Sequence, residues 1–360
     1  MISIILPTYI EFENIGIIIP KLISVLNRED IQGEIIIVDD DSPDDTAHIA
    51  LKFSEKYPVK VHVRKNEKGL SSAVIMGFNL AKGDICVVMD ADLSHPVEKI
   101  PEMIRPILKN RCDLVVGSRN ISGGGSEGWP LSRKIMSSVA GYLAKGLTGL
   151  SDPTSGFMAV RKSVIDGIKL DPLGWKIVLE VAVKAKPRIQ ELPIIFSERK
   201  KGKSKLGIRA QIDYIRHLWR LYCHQYPGFF QFVKFCLVGI SGIVIDTAIL
   251  VGLVEFVSFD PRFAAIFAFT AAVSWNYIFN RIWTFNQGPK TKIVYTYITF
   301  IIICTIGLSI RIGVMHLLIK YVRMSESPWY VLASLIGIAA ATIFNFLGSR
   351  YLVFSKLFRK

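Results

Sequence analysis

Apolar residues recur along this chain in two regimes. Up to about residue 225 they come in short runs separated by polar turns, and from 229 to 355 in stretches long enough to cross a bilayer. In the first regime, residues 3–6, 34–38, 59–63, 85–89 and 113–117 read as strands, and 14–26 and 69–81 as amphipathic helices. Ser42 with Pro43 is a helix-start signal, a capping hydroxyl followed by a residue that needs no backbone donor. Strand alternating with helix predicts parallel βαβ units whose functional loops lie at the C-terminal ends of the strands. Gly123-Gly124-Gly125 follows no strand and precedes no helix in this pattern, so it reads as a flexible connector or lid.

The second regime opens with residues 206–222. There Ile208, Ile212, Ile215, Trp219 and Tyr222 share one helical stripe, opposite Arg209, Asp213, Arg216 and Arg220. This predicts an interfacial helix lying on a bilayer, with a core-packing helix as the alternative. Four spans follow, near 231–257, 262–283, 293–319 and 329–354. Asn276-Tyr277-x3-Arg281-x3-Phe285 returns 69 residues later as Asn345-Phe346-x3-Arg350-x3-Phe354, so two helical pairs are duplicated. Asp246 inside the first span needs a partner, and Arg281, Arg311 and Arg350 are the candidates; structural pairing is favoured over a transport path. The predicted organisation is a catalytic domain over 1–205, an amphipathic linker over 206–228 and a transmembrane domain over 229–360. Lys290 and Lys292 between spans two and three, with Lys356, Arg359 and Lys360 after span four, place both termini in the cytoplasm.

Composition narrows the chemistry. The 360 residues carry a net charge of +14 and a mean hydropathy of +0.37, high for a soluble protein. Five scattered cysteines without a CxxC exclude a disulfide framework and a zinc site, and fit a reducing compartment. No basic segment precedes the first apolar run, so no signal peptide is expected. The first strand ends in Pro7-Thr-Tyr-Ile-Glu11, without the glycines of a dinucleotide fingerprint, and no Walker A lysine loop occurs. What remains is a nucleotide held by side chains on one rim: Pro7, Tyr9 and Glu11, Asp39 and Asp40, Arg64 and Lys68, Asp90 and Asp92, Arg119. On an extended strand, Asp90 and Asp92 share a face about 6–7 Å apart, and two close carboxylates invite a divalent cation. A bare Asp-x-Asp is equally at home in a strand-end turn.

The motifs Ile4-Ile-Leu-Pro7-Thr-Tyr-x-Glu11, Ile37-Val-Asp39-Asp40-x-Ser42, Lys68-Gly69-Leu70, Asp90-Ala-Asp92 and Gly117-Ser-Arg119 resemble family 2 glycosyltransferases of GT-A fold. With Ser155-Gly156-Phe157 and Arg199-x2-Gly202-x-Ser204-Lys205-Leu206, the resemblance narrows to polyprenyl-phosphate glycosyltransferases, the dolichol-phosphate mannose synthases above all. Residues 229–360 resemble GtrA-like membrane domains. The resemblance implies an α/β GT-A (Rossmann-like) domain, interfacial helices and an all-α four-helix transmembrane domain. It also implies inverting, metal-dependent transfer of mannose from GDP-mannose to dolichyl (polyprenyl) phosphate. Its nucleotide residues map to Pro7, Tyr9, Glu11, Val38, Asp39, Asp40, Lys68, Asp90, Ala91 and Asp92. Asp90, Asp92 and Ser94 would form the metal set for Mg²⁺ or Mn²⁺, Ser94 standing where relatives often have Gln and, as a hydroxyl, being the weaker ligand. Arg119, Arg133, Ser137, Arg199 and Lys205 fall to the acceptor phosphate, and Asp90, Asp92, Arg119 and Arg133 are the catalytic set. An ionised lipid phosphate needs no strong general base, and arginines suit it through bidentate hydrogen bonds. An Arg133 in a helix's first turn opposes the helix dipole, which favours a functional reason over a solvated charge. Asp152 reads as a sugar or acceptor contact or as a turn residue, His95 as structural, and Glu180 as a site residue or an exposed helical one. Membrane lipid is the expected environment and nucleic acid is not a partner. The competing readings are UDP-glucose as donor, and a lipid-linked-sugar translocator with a vestigial enzyme domain. A processive polysaccharide synthase lacks support, because no Q-x-x-R-W precedes the spans.

Overall fold

The computed structural model describes residues 1–174, 176–197, 208–286, 292–322 and 329–355. It divides into two compact units, Met1–Gln225 and Tyr226–Lys360.

The first unit is built on β1 (Ile2–Thr8), β2 (Gly33–Asp39), β3 (Val59–Val63), β4 (Ile85–Val88), β5 (Leu114–Ser118), β6 (Gly125–Ser126), β7 (Met158–Arg161), β8 (Ile189–Pro193) and β9 (Ile195–Phe196). Its helices are α1 (Phe12–Arg28), α2 (Thr46–Ser54), α3 (Leu70–Leu80), α4 (Ile100–Leu108), α5 (Leu131–Thr148), α6 (Lys162–Ile165), α7 (Ile177–Ala185) and α8 (Ile208–Gln225). Seven strands form one sheet in the order β3-β2-β1-β4-β7-β5-β8. β1, β2, β3 and β4 run parallel as the pattern predicts; β1, β2 and β4 are buried on both faces and read as apolar runs, while β3, at the sheet edge, alternates with polar residues and is only partly buried. β5 keeps the same direction, and the departure is β7, a strand the pattern does not predict, which pairs antiparallel with both β4 and β5. β1 and β4 are neighbours although strand order runs away from β1 in both directions, so the crevice at their C-terminal ends is a topological switch point. One core lies under α1 and α4, and another under α3 and α7.

Two further expectations are corrected. Ser42 does not cap α2: its hydroxyl donates to Asp39 and receives the Ile10 N–H, and the helix starts at Thr46 after Asp45. The glycine run is not a free connector: Gly125–Ser126 pairs with Ile195–Phe196, which anchors that loop to the chain after β8. On α8 the buried stripe is Tyr214, His217, Leu218 and Leu221, packed on α5 and α7, while Ile212, Ile215 and Trp219 of the expected apolar stripe are exposed.

The second unit contains α9 (Pro227–Val251), α10 (Pro261–Phe279), α11 (Ile293–Val322) and α12 (Trp329–Gly348), with π-helical turns over Gly252–Phe256, Asn280–Thr284 and Ser349–Val353. Four segments are long and apolar enough to span: Pro227–Phe256, Pro261–Thr284, Ile293–Val322 and Val331–Val353. The sequence repeat is a structural one. Phe232 against Phe346 (5.1 Å) is matched by Tyr297 against Tyr277 (5.0 Å), and Phe235 against Phe346 (5.7 Å) by Phe300 against Tyr277 (5.8 Å). Phe285 and Phe354, equivalent positions, stack on each other at 4.8 Å. Reciprocal contacts of this kind define a pseudo-two-fold interface between the helical pairs. Each pair closes at a glycine: a Cβ on Gly242 would stand 2.4 Å from Asn276 Oδ1, and one on Gly307 2.1 Å from Asn345 Oδ1. Asp246 does not form the expected ion pair with Arg281, Arg311 or Arg350; Arg281 reaches the Tyr277 hydroxyl and Arg311 the Ser334 hydroxyl.

Candidate active site

The site lies on the rim where β1, β2 and β4 end. Each of their loops holds a non-glycine residue at positive φ: Ile10 (60°), Asp41 (54°) and Leu93 (64°). Such strain persists only where surrounding bonds enforce it, and it concentrates at binding sites. At the end of β2, Asp39 is fully buried and accepts from Thr8 Oγ1 (2.8 Å), Ser42 N (2.8 Å) and Ser42 Oγ (2.7 Å). Asp40 pairs with the buried Arg64 and accepts the Gly69 N–H at 2.7 Å, while Arg64 donates to the Gly69 carbonyl at 3.0 Å. This pair shapes the loop carrying Lys68, whose ammonium sits 5.3 Å from the Tyr9 ring centroid. Glu11 accepts from Asn14 at 2.7 Å. Pro7, Val38 and Ala91 are buried, so only their backbones are available to a ligand at the rim.

The acidic pair departs from the extended-strand expectation. β4 ends at Val88, and the chain bends over Ala91–Leu93, between and beyond the two carboxylates, so they do not sit on one pleated strand. Asp92, 3 % exposed, receives both the N–H (3.1 Å) and the hydroxyl of Ser94 on Oδ1. Asp90 is half-buried and lies 3.4 Å from His95 Nε2. Gly156 permits this approach: a Cβ there would come within 3.3 Å of Asp90 Oδ2 and 3.4 Å of His95 Nε2. His95 is itself buried between Phe157 and Phe196, with ring centroids 5.2 Å from each. Among the described residues no cluster of three His, Cys, Asp or Glu side chains exists. Two hard carboxylates, Asp90 lining the cavity and Asp92 with a buried Oδ2 that accepts neither Ser94 bond, fit a Mg²⁺- or Mn²⁺-type ion that completes its shell from a diphosphate and water, rather than an all-protein cage.

Arg119 is held by Asp152, which is fully buried. Arg119 donates to it through Nε (2.6 Å), Nη2 (2.7 Å) and the backbone N–H (3.1 Å). Burial pushes the Asp152 carboxyl up, but the hydrogen bonds and charge of Arg119 outweigh this and hold it below the ordinary range. The Arg119 guanidinium also lies 5.0 Å from the Trp129 ring centroid and 5.5 Å from that of Phe196. Arg133, on the first turn of α5, stacks over Trp129 at 4.0 Å, and Ser137 follows one turn on. A cavity of about 340 Å³ joins these groups. Its sheet side is lined by Asp90, Arg119, Thr154 and Lys176, and its helix side by Arg133, Ser137, Ile135, Val139 and Leu143 of α5 and by Tyr214 and Ile215 of α8. The structure therefore brings Asp90, Arg119, Arg133 and Ser137 together, with the Asp39–Asp40 and Tyr9–Lys68 loops along the same rim. Arg199 and Lys205 lie outside the described residues. Sequence reasoning missed Trp129, Lys176 and the position of His95. Lys176 carries the signal used for Arg133, a cation at a helix start. Glu180 belongs elsewhere: 1 % exposed, it bonds His217 Nε2 (2.7 Å), Lys184 and the Asp171 N–H (2.8 Å), joining α7 to α8.

A switch-point crevice with an acidic pair, a cationic cavity and a membrane-spanning tail defines a membrane glycosyltransferase. Residues 3–168 match the model of glycosyl transferase family 2, and 234–354 that of the GtrA/DPMS transmembrane domain. The chain belongs to glycosyl transferase family 2 and groups within it with the dolichol-phosphate mannosyltransferases. It is 38 % identical to the dolichol-phosphate mannosyltransferase of Pyrococcus furiosus, over 98 % of this chain and 97 % of that one. It is 36 % identical to that of Saccharomyces cerevisiae, over 62 % of this chain and 88 % of the yeast protein. Mannosyl-3-phosphoglycerate synthase from Rubrobacter xylanophilus shares the fold at 19 % identity and a TM-score of 0.50, covering 62 % of this chain and 75 % of that one. The chain is an integral membrane glycosyltransferase.

Proposed function

We propose that the protein transfers mannose, with inversion, from GDP-mannose to dolichyl (polyprenyl) phosphate on the cytoplasmic face of the membrane. The observation that carries this reading is the cavity: Arg119 and Asp90 on its sheet side, Arg133 on the first turn of α5, and an apolar lining where α5 and α8 bound the rest. That polarity suits an amphiphile with an anionic head. The names of the relatives support the same donor sugar and acceptor.

In this reading the nucleotide lies along Pro7, Tyr9, Glu11, Val38, Asp39, Asp40, Lys68 and Ala91. Asp39 and Asp40, both engaged internally, act by fixing the loops that contact it. Asp90 and Asp92 would hold Mg²⁺ or Mn²⁺, which when bound neutralises charge on the departing diphosphate. Ser94 orients Asp92 through its two hydrogen bonds. The lipid phosphate, with a second pKa near 6, is largely ionised at neutral pH. One of its oxygens bonds to the anomeric carbon as the bond from that carbon to the GDP oxygen breaks, and no proton has to move. Arg133 and Ser137 on one face of α5 bind the acceptor phosphate, Arg119 is locked beside them by Asp152, and Arg199 and Lys205 complete the acceptor loop.

A radiolabelled-sugar assay on the full-length protein tests the proposal. Mannose should appear on dolichyl phosphate from GDP-mannose, and Asp92→Ala should abolish it. Preferred transfer from UDP-glucose would replace the donor assignment, and an active Asp92→Ala variant would sink the metal assignment.

A further inference from the structure

Among the described residues, the two arginines of the cavity do not by themselves balance a phosphate monoester. Arg119 is bound through two side-chain nitrogens and its backbone to Asp152, so the pair presents almost no net charge to an incoming anion. A phosphate monoester carries nearly two negative charges, and Arg133 offsets one of them. Lys176 lines the same cavity. It is 8 % exposed, precedes the first turn of α7, donates to the Thr154 carbonyl at 3.1 Å, and lies 5.9 Å from the Tyr214 ring centroid. An ammonium there is disfavoured three times over. It is desolvated, it faces the positive end of a helix dipole, and it stands near Arg119. Burial and the Arg119 charge push its amine down to about 7, against the weaker opposing pull of Asp152 and Asp90. A buried ammonium in this mixed setting of carboxylates and a guanidinium gains from the further negative charge that a phosphate brings to the cavity it lines. A carboxylate in this position would serve a hydroxyl nucleophile as its base; a cation serves a nucleophile that is already an anion.

We propose that Lys176 is the second cation of the acceptor-phosphate site, binding the lipid phosphate opposite Arg133. The inference rests on the acceptor reading given above. The groups facing Lys176 are Asp90, Arg119 and Asp152 from the sheet rim and Tyr214 from α8. Charge-assisted bonds are lost when the amine is removed, and the acceptor is the ligand that feels it.

The test compares full-length wild type with Lys176→Met, which keeps the volume without the charge, and Lys176→Arg, which keeps the charge. For each, the KM for dolichyl phosphate, the kcat, and the Kd for GDP are measured across pH 6–9. Lys176→Met should raise the KM for dolichyl phosphate roughly tenfold or more, as expected for a lost hydrogen bond to a charged group, and leave GDP affinity within about twofold. The wild-type KM should climb above about pH 7, whereas the Lys176→Met KM should not follow it and Lys176→Arg should restore much of the neutral-pH affinity. An unchanged KM in Lys176→Met, or parallel loss of GDP and acceptor binding in both variants, overturns the proposal. Should wild type itself transfer nothing to dolichyl phosphate, it is the acceptor reading that fails, and Lys176 falls with it.

Discussion

Replacing Asp152 by Ala leaves Arg119 with neither its charge partner nor the carboxylate that shapes its fork. Asp152 is fully buried and Arg119's side chain is 9 % exposed, so water cannot substitute for the lost acceptor. Breaking a buried pair by removing one member costs about 3–5 kcal/mol, because an uncompensated charge stays inside. For a unit the size of Met1–Gln225, each kcal/mol moves the midpoint by roughly 2–4 °C, so Asp152→Ala should lower the melting temperature by about 6–20 °C. Asp152→Asn, which keeps shape and one acceptor oxygen, should fall between it and wild type. The measurement is thermal unfolding of the detergent-solubilised protein followed by tryptophan fluorescence, with GDP binding recorded at 20 °C. The site should respond too: a loosened Arg119 no longer braces Trp129, against which Arg133 stacks, so the acceptor KM should rise more than the Kd for GDP. Asp152→Ala melting with wild type and binding acceptor normally would refute the claim that this pair organises the acceptor side.

Three further outcomes follow from other contacts. Ser94→Ala removes the hydroxyl that orients Asp92 and should weaken Mn²⁺ binding about 10–100-fold, read as the metal concentration for half-maximal transfer; an unchanged requirement would dismiss the orienting role. Gly242→Ala and Gly307→Ala each force a Cβ against an asparagine amide and should destabilise the membrane half by about 1–3 kcal/mol, to similar extents because the repeats are equivalent, as judged by detergent melts. Burial raises the Glu180 carboxyl, but His217, Lys184 and the Asp171 N–H overcome this and bring it to about 2. Its folded pKa is thus depressed, and its stabilising contribution is full above the ordinary carboxylate value of 4.5 and lost as pH falls through about 2. His217→Ala should therefore flatten the acid limb of the stability curve, which pH-dependent melting measures.

The parallel half of the sheet was legible because β1, β2 and β4 are apolar runs, β3 alternates as an edge strand does, and each strand ends in a recognisable polar turn. β7 was not, since Met158–Arg161 offers four residues without alternation, and nothing local reveals that it enters antiparallel between β4 and β5. That the motif loops share one rim could be read because each follows its strand directly. Lys176 and Trp129 reach the site through tertiary packing, from chain distances that spacing rules do not bridge. Asp90-Ala-Asp92 was found for a partly wrong reason: the carboxylates are arranged by a turn and by Ser94, not by strand pleat. In the membrane half the repeat was legible as identical residue types at a fixed offset, yet Asp246 was assigned partners that its helix does not bring to it.

The short β6–β9 pairing connects these failures to function. A glycine run that sequence alone leaves loose is tied down by the Gly125 N–H to the Ile194 carbonyl (3.0 Å) and by the Glu127 N–H to the Phe196 carbonyl (2.9 Å). Four residues after Gly125 comes Trp129, which packs edge-on to Phe196 at 5.5 Å, and α5 begins two residues further on. Backbone pairing, with Arg119 fixed by Asp152, thus sets where Trp129 stands, Arg133 stacks on that ring, and Phe196 of β9 packs against His95. The aromatic rings lower the local dielectric around the cations and carboxylates, which strengthens each attraction to a phosphate. A loop whose glycines suggested freedom is what gives the cationic site its rigidity.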